Sequence, residues 1–217
     1  MTKFQKLTLK IALSLLVPCS FAGIIHSSAF AQTTSVSSTN SSAAAAPVQA
    51  LYKALTDAQT KGKTLQQRVM IITPAVDQVF DLDGILHRSV GLRYETLKPS
   101  DKARLLSSFR RFTIARYASS FTPGDNVTFK ISPTVRANPT GGQIVDTIIY
   151  NGPDNPNTID YVMSQSNSGW RITDILLNGR ISQVAAQRAD FNSTLATGGA
   201  EGLATNLDQK ATQFLHN

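Results

Sequence analysis

The tract Trp170-Arg171-Ile172-Thr173-Asp174-Ile175 holds the residue types best suited to chemistry in this chain. Alternation along a strand puts Trp170, Ile172 and Asp174 on one face. A carboxylate among apolar neighbours has its pKa raised by desolvation and can act as a general base. With Tyr150 or Tyr161 donating to a developing oxyanion, these residues would make an isomerase of the ketosteroid type. A structural reading stands beside it: Asp174 lies near the end of its strand, where capping the next turn is ordinary work for Asp, and no second acid is placed to assist it. A Ser-His-Asp set would have to draw on His87, which stands between Leu86 and Arg88 with no signature around it and reads as a surface or helix-end histidine. Phosphate-cradling loops, dinucleotide fingerprints and the Gly-x-Ser-x-Gly elbow are absent from the sequence.

The chain has 217 residues and one cysteine, Cys19. Disulfide scaffolds and cysteine-based zinc sites need several, so neither is expected, and no metal or other cofactor is implied. At 41% hydrophobic and 16% charged residues, the chain is neither a disordered acidic polymer nor a multispanning membrane protein. The formal net charge is +7. Part of it lies in residues 1–31, where Lys3, Lys6 and Lys10 precede apolar stretches Ile11 to Val17 and Phe21 to Ile25, and Ala29-Phe30-Ala31 forms a small-x-small cleavage site. This is the layout of a secretory signal peptide. Leu16-Val17-Pro18-Cys19 loosely resembles a lipobox, but the proline before the cysteine argues against lipidation. Cleavage would remove Cys19, His26 and the three lysines, and would export the domain without disulfides.

The remaining excess is local. Between Leu86 and Arg116 lie the eight basic residues Arg88, Arg93, Lys98, Lys102, Arg104, Arg110, Arg111 and Arg116, opposed only by Glu95 and Asp101. One reading is a solvated helix face. The other is a basic rim, with Arg93, Arg104 and Arg111 as its candidates, that meets anionic lipid headgroups at a membrane surface or an acidic protein partner. No aromatic-basic platform for nucleic acid is evident.

The elements that must position these residues follow from periodicity. Residues 32–46, rich in Ser, Thr and Ala, read as a flexible tether, and 47–217 as the domain. Val48, Leu51 and Leu55 predict a helix over 47–60 that opens at Pro47; Leu65, Val69, Ile72, Val76 and Val79 predict a second after Thr64, with a possible kink at Pro74. A short helix follows Phe80-Asp81-Leu82-Asp83 and ends near Gly91. Lys98-Pro99 opens the longest helix, to about Phe121, with Leu105, Phe109, Phe112, Tyr117 and Phe121 in one stripe. The period then changes to two. Val127, Phe129 and Ile131 begin a strand closed off by Pro133, and strands over 143–150, 158–165 and 170–177 follow, before helices over 182–196 and 200–216.

Helices, then a four-stranded antiparallel sheet, then helices make an α+β fold with helices packed on the sheet. A twisted sheet so covered leaves an apolar pocket between the layers. The candidate lining residues are Phe80, Ile85, Phe109 and Phe112 from the helices before the sheet. The sheet offers Val127, Phe129, Ile148, Tyr161, Met163, Trp170 and Ile172. Phe191 and Leu195 come from the helix after it. Packing of the core is the plainer reading for any one of them.

One ordered series goes further. Gly169-Trp170-Arg171-Ile172-Thr173-Asp174-Ile175 is followed by Asn178-Gly179, Ile181-Ser182, Arg188-x-x-Phe191 and Gly198-Gly199-Ala200-x-x-Leu203-x-x-x-Leu207. With Phe80-Asp81-Leu82, Gly91, Phe109-Arg110-Arg111-Phe112 and Tyr117 upstream, it resembles the MlaC-type family of periplasmic lipid carriers, also called toluene-tolerance proteins. The likeness is closer to the hopanoid-associated branch, HpnM. It implies an NTF2-like fold that holds phospholipid or a hopanoid between sheet and helices and catalyses no reaction. The partners implied are an inner-membrane transporter of ABC or RND type and an outer-membrane acceptor. Two alternatives stay open: an NTF2-like enzyme using Asp174, and an adaptor that binds a protein through its basic face.

Overall fold

The computed structural model describes residues 37–152 and 155–216. The signal segment expected over 1–31, and the first part of the tether, lie outside the described residues. Helix α1 is Ser37–Lys61. It starts ten residues before Pro47, and Ala44 and Ala45 are already buried, so the second part of the stretch expected as a tether is helical. Alanine is the best helix former, and here its small side chain also packs.

Helix α2, Leu65–Val79, begins at a capping box: Gln67 N–H donates to Thr64 Oγ1 at 3.2 Å and Thr64 N–H to Gln67 Oε1 at 3.1 Å. Asp81 caps α3, Leu82–Val90, by accepting from Gly84 N–H. That helix stops at Gly91, whose φ of 72° suits glycine, and a Cβ there would meet the Arg188 guanidinium at 2.9 Å. After the single turn α4, Arg93–Thr96, Pro99 opens α5, Pro99–Ser120. At 22 residues α5 is shorter than α1 at 25, so it is not the longest helix as the sequence suggested.

The sheet has five strands, in the order β1-β2-β3-β4-β5 and antiparallel throughout: Val127–Ala137, Gln143–Asn151, Pro156–Ser166, Gly169–Leu177 and Ile181–Ser182. One feature corrects the expected four strands. Asn178 and Gly179, both at positive φ, do not end the sheet; they turn the chain so that Ile181 and Ser182 pair with Leu177 and Leu176. Pro133 does not close β1 either. It sits where the register shifts between Ile131 and Val135, on an edge strand, where a missing N–H is tolerated.

A second irregularity decides a side-chain direction. Ile172 pairs with Met163 and Asp174 with Val162, so Thr173 is the extra residue of a bulge. Met163 and Val162 point to opposite faces, so Asp174 does not share the face of Trp170 and Ile172.

Helix α6 runs Gln183–His216, broken at Gly199 (φ 60°, ψ −161°), where the sequence places its break between two helices. The core lies between α1, α2, α5 and α6 and one face of the sheet, around Val48, Leu51, Ile72, Leu105, Met163, Ile172 and Leu203. Buried polar groups tie the layers together. Thr147 Oγ1 donates to Ile159 O at 2.5 Å, so Tyr52 donates its phenol proton to Thr147 Oγ1, also at 2.5 Å. The Gln59 amide lies along the start of β1, donating to Val127 O and accepting from Val127 N–H as a neighbouring strand would.

No helix among the described residues is long and apolar enough to cross a membrane.

Candidate functional site

Between the helices and the sheet lies a partly enclosed cavity of about 90 Å³. Phe80, Leu82 and Ile85 form the side where α3 begins, and Leu55 reaches it from α1. Helix α5 supplies Phe109, Phe112, Thr113, Arg116, Tyr117 and Ser120, with Phe121 just beyond its end. The sheet supplies Ile149, Ile159, Tyr161, Ile175 and Leu177, and the junction of β4 with α6 supplies Asp174, Gln183, Val184 and Gln187.

The aromatic side chains brace one another. Phe80 and Tyr117 have ring centroids 5.8 Å apart, and Tyr117 stacks on Phe121 at 6.3 Å. Burial pushes the Tyr117 phenol up to about 12, against the opposing pull of Arg116. Burial likewise lowers the pKa of the Arg116 guanidinium, whose Nη2 donates to Gln183 Oε1 at 3.2 Å. Asp174 is held by the start of α6: its Oδ1 accepts from Val184 N–H at 3.1 Å and its Oδ2 from the Ser182 hydroxyl.

Five of the candidates read from the sequence line this cavity: Phe80, Ile85, Phe109, Phe112 and Tyr161. Val127 and Phe129 instead line a shallow depression against α1, with Gln49, Tyr52 and Thr56. Met163 and Ile172 are fully buried in the core, as Phe191 and Leu195 are nearly so, and Phe191 packs edge-on against Phe109. Trp170 packs half-buried against the core away from the cavity, and its Nε1 is buried without a hydrogen-bond partner. Ile148 is half-buried and alternates with Ile149, which does line the cavity.

The basic rim is not at this cavity. Arg104 pairs with Asp208 at 2.8 Å and Glu201 at 3.5 Å, and Arg111 with Asp208 at 3.5 Å, on the outer side of α5 against α6; Arg93 is exposed. Arg116 is the member of the basic stretch that reaches the cavity. Sequence reasoning assigned Arg116 to the charge run and passed over Ser120. Their signal was helical spacing, since both follow Phe109 on the same stripe at intervals of seven and eleven residues.

The chemistry of the site is that of enclosure. Tyr161 lines the cavity but Tyr150 does not, and His87 lies outside it, 2.8 Å from Glu95 and stacked on Tyr94. Among the described residues, no group of three or more His, Cys, Asp or Glu could hold a metal ion.

Residues 46–209 match the family model described as MlaC protein. No curated protein matches the sequence. Among solved structures, the chain is similar to a phospholipid-binding protein from Ralstonia solanacearum, determined in complex with a phospholipid, at a TM-score of 0.63 and 23% identity. The alignment covers 79% of this chain and 98% of that one, and at this identity it speaks for the fold.

Proposed function

The chain belongs to the MlaC family, and from that premise we propose that it is a lipid-binding protein whose cavity takes the apolar part of a phospholipid or a hopanoid. The observation that carries this reading is the apolar cavity between helices and sheet, walled by Phe80, Phe109, Phe112 and Tyr117. Acyl chains cannot cross water unshielded, at about 0.8 kcal/mol per CH₂. The phospholipid bound by the Ralstonia solanacearum protein of similar fold supports the same ligand class. Ligand pockets span roughly 300–1,000 Å³, so a cavity of about 90 Å³ must widen to load.

On this reading the protein is an NTF2-like shuttle of the periplasm, directed there by the segment 1–31. It receives lipid from an inner-membrane transporter of ABC or RND type, or delivers to it, and exchanges lipid with an outer-membrane acceptor. It catalyses no reaction and needs no cofactor. The hopanoid-associated branch is the one its C-terminal series favours. Lipid extraction and mass spectrometry on protein purified from its native compartment test the reading and separate phospholipid from hopanoid cargo. Recovery of no lipid, together with no uptake from vesicles, overturns it.

A further inference from the structure

The cavity wall is not uniformly apolar. On α5, Thr113, Arg116 and Ser120 recur at spacings of three and four, which puts them in one row of the helix, and all three line the cavity. The junction of β4 with α6 adds Asp174, Gln183 and Gln187. The charged members of this wall are engaged within the protein. Arg116 donates to Gln183 Oε1 and has a further interaction besides. The Asp174 carboxylate accepts from Val184 N–H and from the Ser182 hydroxyl. Gln187 Oε1 accepts from Ser89 Oγ at 3.1 Å.

Ser120 is different. It is 7% exposed, and its Oγ is buried with no hydrogen-bond partner among the described residues. A hydroxyl inside a helix can give its proton to the carbonyl four residues back. On the same helix Ser108 is bonded in this way to Arg104 O at 3.2 Å, and Thr113 to Phe109 O at 2.8 Å. Ser120 is not. A buried hydroxyl without a partner costs free energy, and alanine would serve the helix better. The charges in the wall narrow what can meet this hydroxyl. Arg116 and Asp174 line the same cavity with opposite sign, so a carboxylate or phosphate placed there would face the Asp174 carboxylate, and an ammonium would face Arg116. An uncharged oxygen meets neither penalty.

On the lipid-binding reading above, we infer that Ser120 determines specificity by donating to an uncharged oxygen of the bound amphiphile, a hydroxyl or an ester carbonyl. The widening that loads the cavity brings this oxygen to Ser120 Oγ. The hydrocarbon of the same ligand then lies among Leu55, Phe80, Ile149 and Ile159. Any charged headgroup stays outside the cavity, clear of Asp174.

The test is a binding titration of the delipidated protein, wild type and Ser120→Ala, with three uncharged probes of matched chain length: oleyl alcohol, methyl oleate and the hydrocarbon octadecene. Comparing each probe between the two proteins cancels the probe's own hydrophobicity. Ser120→Ala should weaken an oxygen-bearing probe by about three- to tenfold, the scale of one neutral hydrogen bond, and leave octadecene within about twofold. Weakening confined to oleyl alcohol identifies a hydroxyl as the source, weakening confined to methyl oleate identifies an ester, and weakening of both shows that either oxygen serves. Equal weakening of all three probes, or of none, overturns the role of Ser120 and leaves lipid binding intact. Delipidated Ser120→Ala should also melt at or above the wild type, because alanine removes an unmet polar group. A lower melting temperature with unchanged affinities would place the partner of Ser120 inside the protein and overturn the inference. Failure of the wild type to bind any probe overturns the lipid-binding reading and this inference with it. Ser120→Cys, similar in shape and only a weak donor, should show the same pattern and decides the matter if the alanine variant does not fold.

Discussion

Asp174 closes the first turn of α6 jointly with Ser182. Ser182 Oγ accepts from Ala185 N–H at 3.0 Å while Asp174 Oδ1 accepts from Val184 N–H, so two of the helix's first N–H groups are satisfied. The negative charge also suits the positive end of the helix. Asp174→Asn should therefore destabilise the fold by about 1 kcal/mol while leaving bound lipid unchanged, as read by thermal melting and lipid extraction. Unchanged melting, together with loss of turnover of an apolar substrate, would restore the enzymatic reading. Asp208 makes a pH-dependent contribution. Its burial raises its pKa, but hydrogen bonds from Arg104 and Ser108 and the charges of Arg104 and Arg111 outweigh that, so the carboxyl sits below its ordinary value. The folded state then holds this proton less tightly than the unfolded chain does. Its contribution to stability is present above the ordinary aspartate range and is lost as pH falls through and below it. Asp208→Asn should flatten the acid limb of a plot of melting temperature against pH. An acid limb identical to the wild type would show that other carboxylates govern it.

Among the elements, α6 depends on one residue's backbone. Gly199 has φ 60° and ψ −161°, a region essentially restricted to glycine, and the chain bends there between its Phe191–Leu195 and Leu203–Leu207 segments. Gly199→Ala should cost about 1–3 kcal/mol. Gly198→Ala, in helical backbone with open space around it, should stabilise by roughly 0.5–1 kcal/mol. Opposite signs in the two melting curves are the expected result; equal signs would mean that Gly199 is not the hinge of the bend. That break was legible in the sequence because Gly198-Gly199 interrupts an otherwise helical period. Element types were legible for the same reason, down to the start of a helix after Thr64. The Thr173 bulge was not. A strict period of two placed Asp174 beside Ile172, and only the pairing partner Val162 reveals the extra residue. Nor was β5, since a two-residue strand has no period to detect.

At the scale of the whole molecule, the net charge of +7 suggested a basic face, but folding brings acids from elsewhere onto the basic stretch. Asp77 meets Arg110 at 2.6 Å, Asp81 meets Arg88 at 3.8 Å, and Asp208 and Glu201 meet Arg104. Such partners are set by tertiary packing, which a charge count along the chain does not contain. The cavity was legible only in its kind. Phe80, Phe109 and Tyr161 could be named from an aromatic stripe and a covered sheet, whereas Leu55 and Val184 reach the cavity only through the packing of α1 and the first turn of α6. On the lipid-binding reading proposed above, this space has to stay unfilled, which opposes stability. On the scale of about 24 cal/mol per Å³, a void of about 90 Å³ costs at most about 2 kcal/mol. Val184→Phe places a ring in that space from the first turn of α6. It should raise the melting temperature of the delipidated protein and abolish lipid uptake from vesicles together. Full uptake by this variant would mean that the ligand is held somewhere other than between α3, α5 and α6. A lowered melting temperature with uptake abolished would mean that the wall around Val184 cannot yield, and the widening needed for loading would then have to come from the α3 side, at Leu82 and Ile85.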